Sequence, residues 1–181
     1  MRRRAAVFAL AVSVLVGCQT TVKRTLPSAV RTIAVASFEN RTDQPVLPGL
    51  LLEEARRAFR LDGRLTVVDD PEQADSVLSG AVVEYVRQPA RFDANNVVRE
   101  YRLRMVIDLT LTDRARNTVL WTERGPQSTA YQGAAPRKLE RFTNLVVVPA
   151  SGLPVETEGD AQRRMARELS ADMVFRVIEG W

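Results

Sequence analysis

The sequence has no histidine, a single cysteine (Cys18) and only two lysines (Lys23 and Lys138). Without histidine it lacks the commonest general base near neutral pH and the commonest metal ligand. One thiol cannot close an internal disulfide, and two lysines give a Ser–Lys nucleophile pair little to draw on. Nine glycines are scattered along the chain without forming a phosphate-binding loop. Carboxylates are plentiful, 22 in all, so a pair brought together from distant positions is the catalytic arrangement the sequence leaves open. The expectation is a protein that is not an enzyme, with no cofactor and no metal site.

Long apolar runs are also missing. Ala5–Val16 is an uncharged, mostly apolar run of twelve residues, well short of the about 20 needed to span a bilayer. It follows Arg2-Arg3-Arg4 and ends in Leu15-Val16-Gly17-Cys18. A basic start, a short apolar core and a small residue at the cut are the layout of a secretory signal. The closing cysteine makes the run resemble the lipobox of bacterial lipoproteins, which implies cleavage before Cys18 and acylation of its thiol. Lipid on that residue anchors the chain, since each buried CH2 contributes about 0.8 kcal/mol. The position after Cys18 is Gln19 and not Asp, which in lipoproteins of this type points to the outer membrane.

Cleavage also changes the charge. The whole chain carries +4, and the leader holds three arginines and no acid, so the mature chain falls to +1. That removes the bulk-charge argument for a nucleic-acid partner. About 160 residues remain, enough for one domain with a core of its own. The expected division is a signal peptide over 1–17, a lipidated tether over 18–29, and one domain over 30–181.

The clearest pattern in the domain is Val97–Asp113. From Tyr101 onward, Tyr101, Leu103, Met105, Ile107, Leu109 and Leu111 alternate with Arg102, Arg104, Asp108, Thr110 and Thr112, Val106 being the apolar exception. Period-two alternation over eleven residues predicts a strand with one buried face, in a register that a one-residue slip would invert. Other segments fall around it. Thr32–Phe38 reads as a strand buried on both faces. A helix is expected to start near Pro48, carry Leu51, Ala55, Ala58 and Phe59 on its apolar stripe, and end at Gly63. Leu65–Val68 and Ser76–Tyr85 read as strands. Between them lie Asp69, Asp70, Glu72 and Asp75, whose spacing fits an Asp-Pro turn better than a calcium loop. Arg87–Asn96 reads as a loop. Arg114–Asn117 reads as a tight hairpin turn, with Asn117 suited to positive φ, and Val119–Tyr131 as the returning strand. Gly133–Glu156, rich in proline and glycine, reads as a long irregular connection with a short strand at most. Thr157 and Asp160 form a capping box for a last helix that repeats Met165, Leu169, Met173 and Val177 on one face and stops at Gly180. The predicted fold class is α+β: a four-stranded mixed or antiparallel sheet with two helices packed on one face, in the order β-α-β-β-β-α.

Several segments together resemble a known family. They are Thr32-Ile33-Ala34-Val35 with Phe38–Thr42; Arg64–Pro71 leading into Ala74–Gly80; Glu100–Asp113 with Val119-Leu120-Trp121; and the closing Glu179-Gly180-Trp181. In this order behind a lipobox they resemble the LptE family of lipopolysaccharide-assembly lipoproteins over most of the mature chain. The resemblance implies a periplasm-facing, lipid-anchored protein of the outer membrane that sits inside a large β-barrel partner, LptD. It would plug and stabilise that barrel, bind lipopolysaccharide and assist its delivery to the cell surface. Guanidinium forks suit lipid A phosphates, and Arg87, Arg91, Arg99, Arg102 and Arg104 gather near the start of the central strand, so these five are the expected contacts. The same arginines would equally serve to keep a strand edge soluble. The Ile33 and Asn40-Arg41-Thr42 stretch also looks like the opening of lipoproteins that activate penicillin-binding proteins or form the curli secretion pore, which remains the alternative.

Overall fold

The alternation beginning at Tyr101 organises the sheet. β5 (Val98–Asp113) buries Leu103, Met105, Ile107, Leu109 and Leu111 completely, while Arg102 on the opposite face is exposed. Each such side chain contributes about 1.5–3 kcal/mol on leaving water. A computed structural model describes residues 26–27, 29–123, 139–146 and 156–179. The expected signal peptide, Cys18, most of the tether and Gly180 lie outside these residues.

The amino-terminal part is a parallel βαβ unit. β1 (Thr32–Val35) has Ile33, Ala34 and Val35 all buried, as a strand covered on both faces requires. The expected run to Phe38 breaks after Val35. The Phe38 ring turns into the core, and β2 (Glu39–Asn40) resumes pairing further along. α1 (Leu47–Asp62) buries Leu47, Leu51, Ala55 and Phe59 at four-residue spacing, with Pro48 in its first turn. Gly63 ends it at φ 74° and donates its N–H to the Phe59 carbonyl at 3.1 Å, the left-handed cap that glycine adopts without strain. β3 (Thr66–Val67) pairs parallel with β1.

The acidic stretch that follows is used for folding. Asp70 Oδ1 accepts the Glu72 N–H at 2.9 Å, starting a single 3-10 turn over Pro71–Gln73. Asp75 Oδ2 accepts the backbone N–H groups of Arg31 and Thr32, each at 2.9 Å, fastening the start of β1 to the start of the next strand.

That strand, β4 (Ser76–Phe92), pairs antiparallel with β5 from Ser76 opposite Asp113 to Phe92 opposite Val98. The sequence ended it at Tyr85 and read a loop from Arg87; the strand instead continues to Phe92. Two facts hid this. Register shifts between Val82 and Glu84 and again around Arg91 break the alternation. Pro89 also lies beyond the pairing of β2 with Ala81 and Val82, where one side of β4 has no strand neighbour among the described residues. A proline there can direct its missing N–H away from the ladder. Only a short turn from Asp93 to Val97 remains as loop, with Asn96 at φ 61°.

β6 (Thr118–Glu123) follows a turn in which Asn117 takes φ 49°, as its residue type predicted. β6 pairs with Leu109–Asp113 of β5, and β7 (Leu139–Val146) pairs with Glu100–Ile107 on the same side. β7 thus gives the stretch 133–156 an eight-residue strand, longer than its composition suggested. The described residues therefore form a seven-stranded sheet, not a four-stranded one. Its order is β3-β1-β4-β5-β6, with β2 following β1 along β4 and β7 following β6 along β5. The mixed α+β architecture with two helices stands. α2 (Glu158–Glu179) opens on the predicted capping box: Thr157 Oγ1 donates to Asp160 Oδ2 at 2.6 Å, and the Asp160 N–H donates to Thr157 Oγ1 at 3.2 Å. Met165, Leu169, Met173 and Val177 are fully buried and join α1 and β5 in one core.

Candidate functional site

β4 and β5 are the longest strands, and β4 alone spans seventeen residues, about 50 Å at a rise of about 3.3 Å per residue. Their starting and finishing ends (Ser76 and Asp113) lie beside β1, close to where the tether enters. Their far ends form an arm, from Glu84 to Arg104, that carries all five arginines singled out in the sequence. The paired register divides those arginines between two faces. Arg91, Arg102 and Arg104 share the open face with Glu84 and Glu100, whereas Arg87 and Arg99 lie on the side that carries Tyr101 and the helices.

Four of the five are engaged by carboxylates. Arg87 Nη1 lies 2.7 Å from Glu158 Oε2 at the start of α2, and its guanidinium sits 4.1 Å from the Tyr101 ring centroid. Beside it the Tyr85 hydroxyl donates to Glu158 Oε1 at 2.8 Å. Burial pushes this phenol well above the usual tyrosine range, so it remains a donor. Arg99 Nε donates to Asp93 Oδ2 at 2.8 Å, while Asp93 Oδ1 accepts the N–H groups of Asn95 and Val97 at 2.9 Å each. Those backbone bonds, Val97 first, together with Arg99, hold the Asp93 carboxyl below its ordinary range. Arg99 therefore braces the turn. Arg91 Nε lies 3.6 Å from Glu100 Oε2, and Arg104 forms an ion pair with Glu84 across the two strands.

Arg102 differs. It is exposed, stands in register with Gln88 and Asn144, and has no ion-pair partner among the described residues. It is thus the arginine of the five best placed to receive an anion from outside. The arm also presents two apolar side chains that the sequence did not single out: Phe92 is 50% exposed and Val97 51% exposed, one on each side of the turn. The Asp93-Ala94-Asn95-Asn96 run between them is hairpin chemistry, and reading it as such would have placed both at a tip. Among the described residues, no group of His, Cys, Asp and Glu side chains is placed to hold a metal ion. No described helix is long and apolar enough to cross a membrane.

Comparison with solved structures places this architecture among several bacterial proteins. An uncharacterized lipoprotein B from Nitrosomonas europaea superposes with a TM-score of 0.53 at 15% identity, covering 82% of this chain and 83% of that one. A hypothetical protein from Chlamydia trachomatis gives 0.52 at 13% identity, covering 82% and 98%. A protein from Xanthomonas campestris gives 0.51 at 13% identity, covering 85% and 88%. At such identities these matches establish the shared fold. No curated protein is a significant sequence match to the chain. The family model for lipopolysaccharide assembly, LptE, matches residues 30–177, from two residues before β1 to the last turns of α2. The chain therefore belongs to the LptE family of lipopolysaccharide-assembly proteins.

Proposed function

We propose that the protein is an outer-membrane lipoprotein, anchored through acylated Cys18, that stands inside a large LptD-like β-barrel, stabilises it and assists the passage of lipopolysaccharide to the cell surface. It acts by shape and surface, with no catalytic step. The observation that carries this reading is the family match over residues 30–177, preceded at a short distance by the lipobox-like Leu15-Val16-Gly17-Cys18.

The dimensions support it. From Ser76 near the tether to Phe92, β4 is about 50 Å long, which exceeds the hydrocarbon thickness of a bilayer, about 30 Å. A domain held by its tether near the inner leaflet can therefore carry the Phe92–Val97 tip as far as the outer one. Large barrels enclose an aqueous lumen, and the open sheet face, with its Arg104–Glu84 and Arg91–Glu100 pairs, is polar enough to stand in water. In this setting Arg102 is the contact for a lipid A phosphate, because the other four arginines already serve carboxylates.

The test is lipopolysaccharide capture by the mature protein carrying Arg102→Glu. Capture several-fold weaker than that of the natural chain, with an unchanged unfolding curve, supports the assignment. Unchanged capture removes Arg102 from the site.

A further inference from the structure

The outer flank of the two helices changes character along its length. Over the middle turns it carries Glu53, Arg167 and Glu168, all exposed. At the end nearest the tether it carries Leu61, 78% exposed, and Phe175, 55% exposed. Among the described residues these are the only large apolar side chains that either helix leaves exposed. The ion pairs Arg167–Glu54 at 3.7 Å and Arg64–Glu179 at 2.6 Å set α1 and α2 side by side and parallel, in a register that brings Phe175 level with Leu61. Ile178 follows Phe175 by three residues and so shares its side of the helix. It lines an open apolar cleft with Leu26, Val30 and Leu65, so the apolar surface runs on from the helices to the residues that lead into the domain.

We infer that this end of the helical layer rests on a phospholipid surface, with Leu61 and Phe175 entering the boundary between headgroups and acyl chains and Arg57 meeting lipid phosphates. The inference rests on the reading of Cys18 as the anchor. Leu26 lies eight residues beyond Cys18, about 28 Å at full extension, so an anchored chain holds this end of the domain close to the leaflet. Charge agrees with the same partner. Arg57 precedes Leu61 by one helical turn, is exposed and has no ion-pair partner among the described residues. Arg60 and Arg64 stand beside it but already face Asp69, and Asp62 with Glu179. Single exposed apolar side chains are ordinary on proteins. Here two stand level on adjoining helices, next to the tether and fringed by guanidiniums, which is the layout of an interfacial contact. Attraction between Arg57 and anionic headgroups fades within a Debye length, about 8 Å at physiological salt. The contact therefore forms once the anchor has brought the domain to the surface. It fixes the posture of the anchored domain and leaves the Phe92–Val97 tip, at the other end of the sheet, free of the leaflet.

The experiment uses the full-length lipoprotein reconstituted into vesicles of phosphatidylethanolamine and phosphatidylglycerol, with a photo-crosslinking residue at position 61 or 175. Position 46, exposed at the opposite end of α1, is the control. Phospholipid adducts at 61 and 175 should exceed those at 46 several-fold, and Arg57→Glu should lower the yield at 61 several-fold. Equal yields at the three positions overturn the inference. Adducts to a second copy of the chain in place of lipid do so as well. Amide exchange gives a reading without substitution at the patch: the last turns of α1 and α2 should exchange several-fold more slowly in vesicles than in the unanchored Cys18→Ser chain in buffer, and equal rates overturn the contact. The anchor is read separately, from the mass of the peptide that holds Cys18. An unmodified thiol there overturns the anchor and this inference with it, whereas an acylated Cys18 without lipid adducts at 61 and 175 overturns the contact alone.

Discussion

The Arg87 guanidinium lies 4.1 Å from the centroid of the Tyr101 ring while its Nη1 reaches Glu158 Oε2 at 2.7 Å. One side chain thus joins β4, β5 and the first turn of α2. Such a cation–aromatic contact is worth about 0.5–1 kcal/mol where it is exposed, and an exposed ion pair about 0.2–1 kcal/mol. Arg87→Ala should therefore lower the unfolding free energy by about 1 kcal/mol. In urea titration the midpoint should fall with an unchanged slope, the mark of lost stability without a change in the surface exposed on unfolding.

Gly80 is fixed by a close approach. A Cβ placed there would meet the Asp108 carbonyl oxygen at 2.6 Å and the Phe38 ring at 2.7 Å. Gly80→Ala should cost about 1–3 kcal/mol, the usual range for overpacking. Phe38→Leu should recover part of the loss by withdrawing the ring. A double-mutant cycle in urea would then show coupling between the two positions, while strict additivity would place the conflict at Asp108 alone.

The contrast between well-read and misread segments has a physical basis. β5, α1 and α2 were legible because one face of each is buried, and burial imposes a period: Leu103 to Leu111 by twos, Leu51, Ala55 and Phe59 by fours, Met165 to Val177 by fours. The outer half of β4 was not legible because its residues from Arg87 to Phe92 are exposed, so no period is imposed, and Pro89 reads as a break unless the edge position is known. β2 and β3 have two residues each, too short for any pattern. The site followed the same rule. Composition located five arginines near one strand start, but their partners Glu158, Asp93, Glu100 and Glu84 are set by register and helix docking, which a linear sequence does not display.

Asp75 gives the fold an acid-sensitive joint. Hydrogen bonds from the Arg31 N–H, the Thr32 N–H and the Thr32 side chain, in that order, hold its carboxyl below the ordinary aspartate range. A group lowered on folding adds stability that is complete above its unfolded value, about 3.9, and is lost as pH falls through the folded value. Asp113 behaves alike, through the Arg116 N–H and guanidinium. Asp75→Asn should make stability less steep in pH below about 4, measured as urea midpoints from pH 7 downward. An unchanged slope would locate the acid response elsewhere.

Arg102 and Arg104 are neighbours on one face with different duties. Arg104→Glu would set a second carboxylate against Glu84, and like charges across strands are destabilising by roughly 0.2–1 kcal/mol, on the scale of such cross-strand pairs. Arg102→Glu removes no ion pair with a described residue. Thermal melts should therefore show a lower midpoint for Arg104→Glu and none for Arg102→Glu, and Glu84→Arg should restore the former. Equal melts for the two variants would mean the pair contributes nothing.

We propose that this domain works as a non-catalytic wedge inside a barrel. Its most direct test is purification of the full-length lipoprotein from outer membranes with a photo-crosslinking residue at Val97, on the exposed tip of the arm. One heat-modifiable barrel in a defined ratio, crosslinked through position 97, is expected. Recovery of a peptidoglycan synthase, or of a ring of the protein's own copies with no barrel, would contradict it.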